Sequence, residues 1–133
     1  MHEPNGDHGR GRWGGAKRGA VKPWQHPDLD DVPLSAVLHA LADPVRLALV
    51  RNLARRGEMN CAQSCGAMRL PKSTLANHYG VLREAGLVRG RPEGKQVINT
   101  LRREEVEARF PGLLDSVLRA AEAEPCPTEG KAA

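Results

Sequence analysis

At 133 residues the chain has room for one domain, and with aromatics at 3% its core must be built from Leu, Val and Ala, which favours small packed helices. The net charge of +4, with a pI near 9.3, leans toward a polyanionic partner. No apolar run reaches the roughly 18 residues of a membrane span, the start MHEPNGDHGRGRWGG has no apolar segment of a secretory signal, and three cysteines without framework spacing suit a reducing cytoplasm, the expected location.

Residues 1–30 read as a disordered, glycine-rich basic arm. Six glycines fall in the first 20 residues and no apolar periodicity appears. Between Arg10 and Lys22 there are five basic residues and no acidic ones. Two readings of this arm stay open: a phosphate-following or minor-groove arm, and a solubilising tail. Trp13 sits in the glycine run, and Trp24 lies nearer the fold.

Residues 31–122 read as the folded domain. The first predicted helix is Leu34 to Leu41, with Leu34, Val37, Leu38 and Leu41 on one face. Asp43 is a good N-cap for the second, with Pro44 at its first position. That helix carries Val45, Leu47, Leu49, Val50 and Leu53 and ends before Gly57. A third helical segment should start near Asn60 as N-cap, with Cys61, Ser64, Cys65 and Met68 inward. A tight link at Arg69 to Pro71 leads to another helix over Lys72 to Ala85.

Two short helices joined by three or four residues form a helix-turn-helix unit, whose second helix can enter a DNA major groove. Here Leu75, Tyr79 and Leu82 should face the core. The opposite face presents Lys72, Ser73, Thr74, Asn77 and His78, groups suited to phosphates and base edges. Gly86 is the helix stop. Leu87 to Arg91 and Lys95 to Leu101 then read as two strands around a turn at Pro92-Glu93-Gly94. This hairpin is the wing, and Arg89, Arg91 and Lys95 make it basic. From Arg69 to Lys95 six basic residues stand against two acidic ones, which holds the whole charge excess of the domain.

A short helix over Arg103 to Arg109 is expected to break near Phe110-Pro111-Gly112. A last helix then carries Leu113, Leu114, Val117, Leu118 and Ala121 on one side. That stripe, with Leu34, Val37 and Leu38, exceeds what so small a unit needs and reads as a homodimer interface. A dimer would place two recognition helices about 34 Å apart, one turn of DNA. Residues 123–133 read as a flexible tail.

The run ALADPVRLALVRNLARRGEMNC, followed by PKSTLANHYGVLREAGLVRGRPEGK, resembles the ArsR family of bacterial repressors. The pieces that carry the likeness are Leu41-Ala42-Asp43-Pro44-Val45-Arg46-Leu47, Gly57-Glu58, Ser73-Thr74, His78 and the stretch from Val81 to Val88. It covers about Leu34 to Leu101. The resemblance implies a homodimer that binds an imperfect palindrome over a promoter and leaves it on a signal. It also places Ser73, Asn77 and His78 on the face that meets the groove. The family's cysteine pair falls on Asn60 and Ala62, neither a thiolate, and no histidine follows His78 for its other metal site. No metal site or cofactor is therefore assigned.

Cys61 and Cys65, four apart on one helix face, leave three readings open: core filler, a thiol switch, or half of a thiophilic metal site completed by Cys126. His39 lies beside the proposed dimer seam. Arg55-Arg56 and Arg102-Arg103 read as solvated charges. An enzyme is not expected. GRGRWGGAKRG has no preceding strand, Ser73 has no evident base, and Glu104-Glu105 lie on a solvated face. The predicted fold is mainly α with a small β-hairpin wing, a homodimeric winged helix-turn-helix. The predicted function is sequence-specific regulation through double-stranded DNA, with a small-molecule, redox or metal effector that the sequence does not name. The alternative is a winged-helix module that binds protein.

Overall fold

The computed structural model describes residues 26–60, 63 and 69–125. The basic arm, both tryptophans, Cys61, Cys65, Cys126 and the expected inner positions Ser64 and Met68 lie outside the described residues. In chain order the structure has a 3₁₀ turn (Leu29–Asp31), α1 (Leu34–Leu41), α2 (Pro44–Arg56), β1 (Glu58–Asn60), α3 (Lys72–Glu84), β2 (Val88–Glu93), β3 (Gln96–Leu101), α4 (Arg103–Arg109) and α5 (Leu113–Ala121). The mainly helical fold with a small antiparallel wing is the architecture expected from the sequence.

Local chemistry sets the boundaries. The Asp43 carboxylate accepts from the backbone N–H groups of Val45 (2.8 Å) and Arg46 (3.2 Å), so it caps α2 while Pro44 opens the helix. Asn60 and Gln63 exchange two bonds. The Gln63 N–H donates to Asn60 Oδ1 and the Asn60 N–H to Gln63 Oε1, both at 2.8 Å. This reciprocal pair has the form of a capping box, while the helix expected after Asn60 lies, apart from residue 63, outside the described residues. Helix α3 ends in a Schellman motif: the Leu87 N–H reaches the Leu82 carbonyl and the Gly86 N–H the Arg83 carbonyl, each at 3.0 Å.

The sheet has three strands in the order β1-β3-β2. The hairpin registers Glu93 opposite Gln96, which makes Gly94-Lys95 a two-residue turn. Gly94 has φ +65°, while Lys95 is not among the positive-φ residues, as in a type II′ turn with glycine first. The turn therefore lies beyond Pro92 and Glu93, which the sequence reading had placed in it. Pro92 is tolerated in β2 because β2 is an edge strand. Strand β1 was not expected. It pairs Met59 with Asn99 and buries the Met59 side chain.

The core gathers Leu75, Tyr79 and Leu82 of α3, Leu49, Val50 and Leu53 of α2, Val37 of α1, and Val106 and Leu114 from the last two helices. Packing also starts before residue 31. Leu29 and Val32 are buried, and their carbonyls accept from Arg109 Nε (3.0 Å) and Nη2 (3.3 Å). Arg102 is buried too, contrary to its reading as a solvated charge. Its Nη1 donates to the Pro27 carbonyl at 3.1 Å. The His26 ring completes this strap, with Nε2 accepting the Gly90 N–H at the outer edge of β2 (3.0 Å).

Gly86 and Gly112 share a φ of +81°, yet their surroundings differ. A Cβ on Gly86 would meet Leu29 Cδ2 at 2.4 Å, whereas one on Gly112 meets nothing within 4 Å. Left-handed strain at a residue other than glycine costs about 1–3 kcal/mol. Gly112→Ala should lose about that much in urea unfolding, and Gly86→Ala measurably more. Equal losses would mean that Leu29 does not pack as described.

Candidate nucleic-acid interface

Helix α3 turns its apolar side inward and its polar side out. Leu75, Tyr79 and Leu82 are buried, while Lys72, Ser73 and Asn77 are exposed and Thr74 is half-buried. The helix is introduced by Arg69, the only non-glycine residue at positive φ (+58°) among the described residues. A left-handed residue there turns the chain just before α3 begins.

His78 sits at the inner margin of the exposed face. Its Nδ1 lies 3.4 Å from Arg46 Nη1. Burial lowers the His78 pKa; the neighbouring Arg46 charge adds to this and Asp43 opposes it. The ring is thus neutral at neutral pH and turned toward α2, so it offers no positive charge to a phosphate. Arg46 also donates through Nε to the Ala40 carbonyl (2.8 Å) and through Nη2 to the His39 carbonyl (3.4 Å). One guanidinium therefore ties the end of α1 to α2 and to α3. No periodicity singles out Arg46; the Asp-Pro-Val-Arg string was its only signal.

The wing projects Arg89, Arg91 and Lys95 as expected, all exposed. Two of them are already engaged. Arg89 pairs with Glu105 at 2.8 Å, and Arg91 with Glu58 (3.4 Å) and Glu93 (3.5 Å). Glu105 is shared, accepting also from Arg102 Nε at 2.8 Å. Among the described residues no carboxylate lies within salt-bridge distance of Lys95.

Helix and wing are joined by a polar relay that the sequence reading missed. Arg83 Nη1 donates to Asn99 Oδ1 (3.2 Å), and Asn99 Nδ2 donates to the Met59 carbonyl (3.3 Å). Asn99 is 2% exposed, so the relay is fixed inside the protein and sets the wing against α3.

Comparison with known proteins agrees with this geometry. Residues 41–91 match the family described as a helix-turn-helix domain. The uncharacterized HTH-type transcriptional regulator YceK of Bacillus subtilis is 32% identical over 89 residues, covering 66% of this chain and 89% of that protein. This chain belongs to the winged helix-turn-helix transcriptional regulators. A second relative of these regulators, the biofilm growth-associated repressor of Agrobacterium fabrum, is 36% identical over 90 residues, covering 59% of this chain and 76% of that one. HlyU from Vibrio cholerae shares the fold with a TM-score of 0.56 at 29% identity, over 65% of this chain and 89% of that one.

The matched region begins at the end of α1 and includes α2, β1, α3 and the first part of β2. The seven leucines and valines expected at a dimer seam divide. Val37 and Leu114 are 0% exposed and Leu118 8%, so they belong to the protomer core and not to a free surface. Val37 is covered because α1 packs on α2 and α3, and Leu114 and Leu118 because α5 packs on α2, where Arg51 Nη1 also holds the carbonyls of Ala121 (2.6 Å) and Glu124 (2.8 Å). Leu34 and Leu38 remain 45% and 46% exposed, and Leu113 and Val117 are half-buried. His39 is exposed beside them and lines a shallow cavity with Ser35, Val81 and Glu84. Among the described residues no group of three or more His, Cys, Asp or Glu could hold a metal, and no helix is long and apolar enough to cross a membrane.

The hydrogen bond from Arg102, reinforced by Arg89, holds the Glu105 carboxyl down at about 2, below its ordinary 4.5, against the opposing effect of burial. A folded-state value below the unfolded one means that protons favour unfolding. The stabilisation is complete above about pH 4.5 and is lost as pH falls through about 2. Urea unfolding should therefore show parent protein more stable than Glu105→Gln at neutral pH, with the gap closing toward pH 2. A gap independent of pH would assign the effect to packing instead of charge.

Proposed function

We propose that this protein is a homodimeric repressor of the ArsR type that binds an imperfect palindromic operator through α3 and the wing and leaves it on a signal. The observation that carries this reading is the exposed row of Lys72, Ser73 and Asn77 on a helix whose opposite side is locked into the core. Thr74 and His78 flank that row. The Asp43-Pro44-Val45-Arg46 motif with its observed capping role, and a relative bearing the name of a repressor, support the finer assignment. The protein acts by occupying DNA, without catalysis. Asn77 reads a base edge, Lys72 and Lys95 meet phosphates, and Arg89 and Arg91 exchange their carboxylates for the backbone on docking.

The operator is obtained by selecting duplexes from a random pool. Asn77→Ala should then lower the preference for the selected duplex over random duplex by about 1–3 kcal/mol. An unchanged ratio would remove Asn77 from base readout. A parent protein that selects no duplex would favour a winged helix that binds protein.

In the proposed dimer, Leu34 and Leu38 on α1 and Leu113 and Val117 on α5 supply the apolar contact. Sedimentation should show a dimer for the parent protein and a monomer for a Leu34→Glu, Leu38→Glu double variant that keeps its helical spectrum. A monomeric parent at micromolar concentration would sink the dimer. Leu114→Ala, by contrast, should cost about 2–5 kcal/mol of folding stability, because it empties a core position.

A further inference from the structure

Between α3 and β3 lies a notch lined by Lys72, Ala76, Tyr79, Arg83, Lys95 and Gln96, with buried Asn99 also in its wall. Its volume is about 240 Å³. Small-molecule pockets run from about 300 to 1,000 Å³, so this space suits a single chemical group better than a whole effector. Its lining holds three cations and no carboxylate. Among the described residues Lys95 has no carboxylate within salt-bridge distance, whereas Arg89 and Arg91 on the outer wing are matched by Glu105, Glu58 and Glu93.

The cations come from the two ends of α3 and from the hairpin turn. Lys72 is the first residue of α3, and Lys95 is the second residue of the Gly94-Lys95 turn. Arg83 comes from the last turn of α3 and is held by Asn99, itself anchored on the Met59 carbonyl. The guanidinium is therefore oriented before any ligand arrives, which removes an ordering cost from binding. Ala76, one helical turn beyond Lys72, is exposed and small, so a group can approach α3 closely there.

We propose that this notch seats one backbone phosphate of the bound duplex, clamped between Lys72 and Lys95 with Arg83 behind it. The proposal rests on the DNA-binding reading above and adds Arg83 and the Ala76 gap to the interface. A phosphate seated there fixes the wing and the recognition helix to the same nucleotide. It therefore sets the register in which Asn77 meets the bases.

The test uses the full chain and a mixed-sequence duplex of about three helical turns, so that phosphate contacts dominate the binding. Lys95→Gln removes one clamp, and Ala76→Glu puts a carboxylate into the notch from an exposed position without altering a cation. Arg56→Gln, on the exposed end of α2, is the control of equal charge change to Lys95→Gln. Lys95→Gln should lower the slope of log affinity against log salt by about one, and Arg56→Gln should leave it unchanged. Ala76→Glu should weaken binding at least as much as Lys95→Gln while circular dichroism and urea unfolding stay those of the parent. Parent-like slope and affinity for both notch variants would overturn the notch while leaving DNA binding intact. A parent protein that binds no duplex would overturn both readings. A further arm replaces chloride by inorganic phosphate at equal ionic strength. Unchanged duplex affinity supports the backbone phosphate as occupant. Displacement by free phosphate that Ala76→Glu abolishes would make the notch a free-anion site and overturn the assignment to the duplex.

Discussion

Arg46 is the contact on which the recognition helix depends. Its guanidinium bonds the carbonyls at the end of α1, belongs to the first turn of α2, and lies against the imidazole of α3. Carbonyls at a helix C-terminus have no partner within the helix, and an arginine satisfies them with several donors at fixed angles. A lysine could supply the charge but not the fork. The motif around it has one physical meaning. Asp43 caps α2, Pro44 presets its first turn, and the cap orients the residue three places on so that its side chain reaches back over α1. Three helices thus have their mutual angles set within four residues of sequence.

The same device recurs on the other side of the domain. Arg51 holds the end of α5, Arg102 holds Pro27, and Arg109 holds Leu29 and Val32. With few aromatics, the core cannot fill every gap between helices by bulk alone. Long arginine stems cover apolar surface while their heads close off backbone carbonyls. Much of the positive charge is consequently structural. It carries helix ends and a strap, and it would be present whether or not the protein met DNA.

What could be read in advance follows from how local each cause is. The inner face of α3 was legible because Leu75, Tyr79 and Leu82 repeat at helical spacing, and all three are buried. Asp43 and Gly86 act within a few residues of themselves, and each punctuates a helix as expected. Strand β1 was missed because three residues carry no period, and only their pairing with β3 makes them a strand. Arg102 was read as solvated because the Pro27 carbonyl that its Nη1 meets is 75 residues away in sequence. Val37, Leu114 and Leu118 were assigned to a dimer seam for the same reason, and they lie in the protomer core. A row of leucines shows that one helix face is covered, and does not show whether its own chain or a second copy covers it.

Charge shows the same distinction with a functional consequence. Along the chain, the window from Arg69 to Lys95 is strongly basic. In space, Glu58 and Glu105, both outside that window, return to the wing and meet Arg91 and Arg89. The field that DNA encounters is therefore weaker than the linear count suggests. Non-specific binding is almost wholly electrostatic, whereas specific binding adds contacts to base edges. Carboxylates beside the wing arginines oppose the first while leaving Asn77 and Ser73 untouched. In the proposed complex they would stay near the backbone after any exchange of partners, so every duplex, matched or not, is held less tightly through its phosphates. A regulator this small has little surface with which to add specific contacts. On the proposed reading, weaker backbone contacts leave less of the protein on unmatched DNA, while the preference for an operator rests on the base contacts alone.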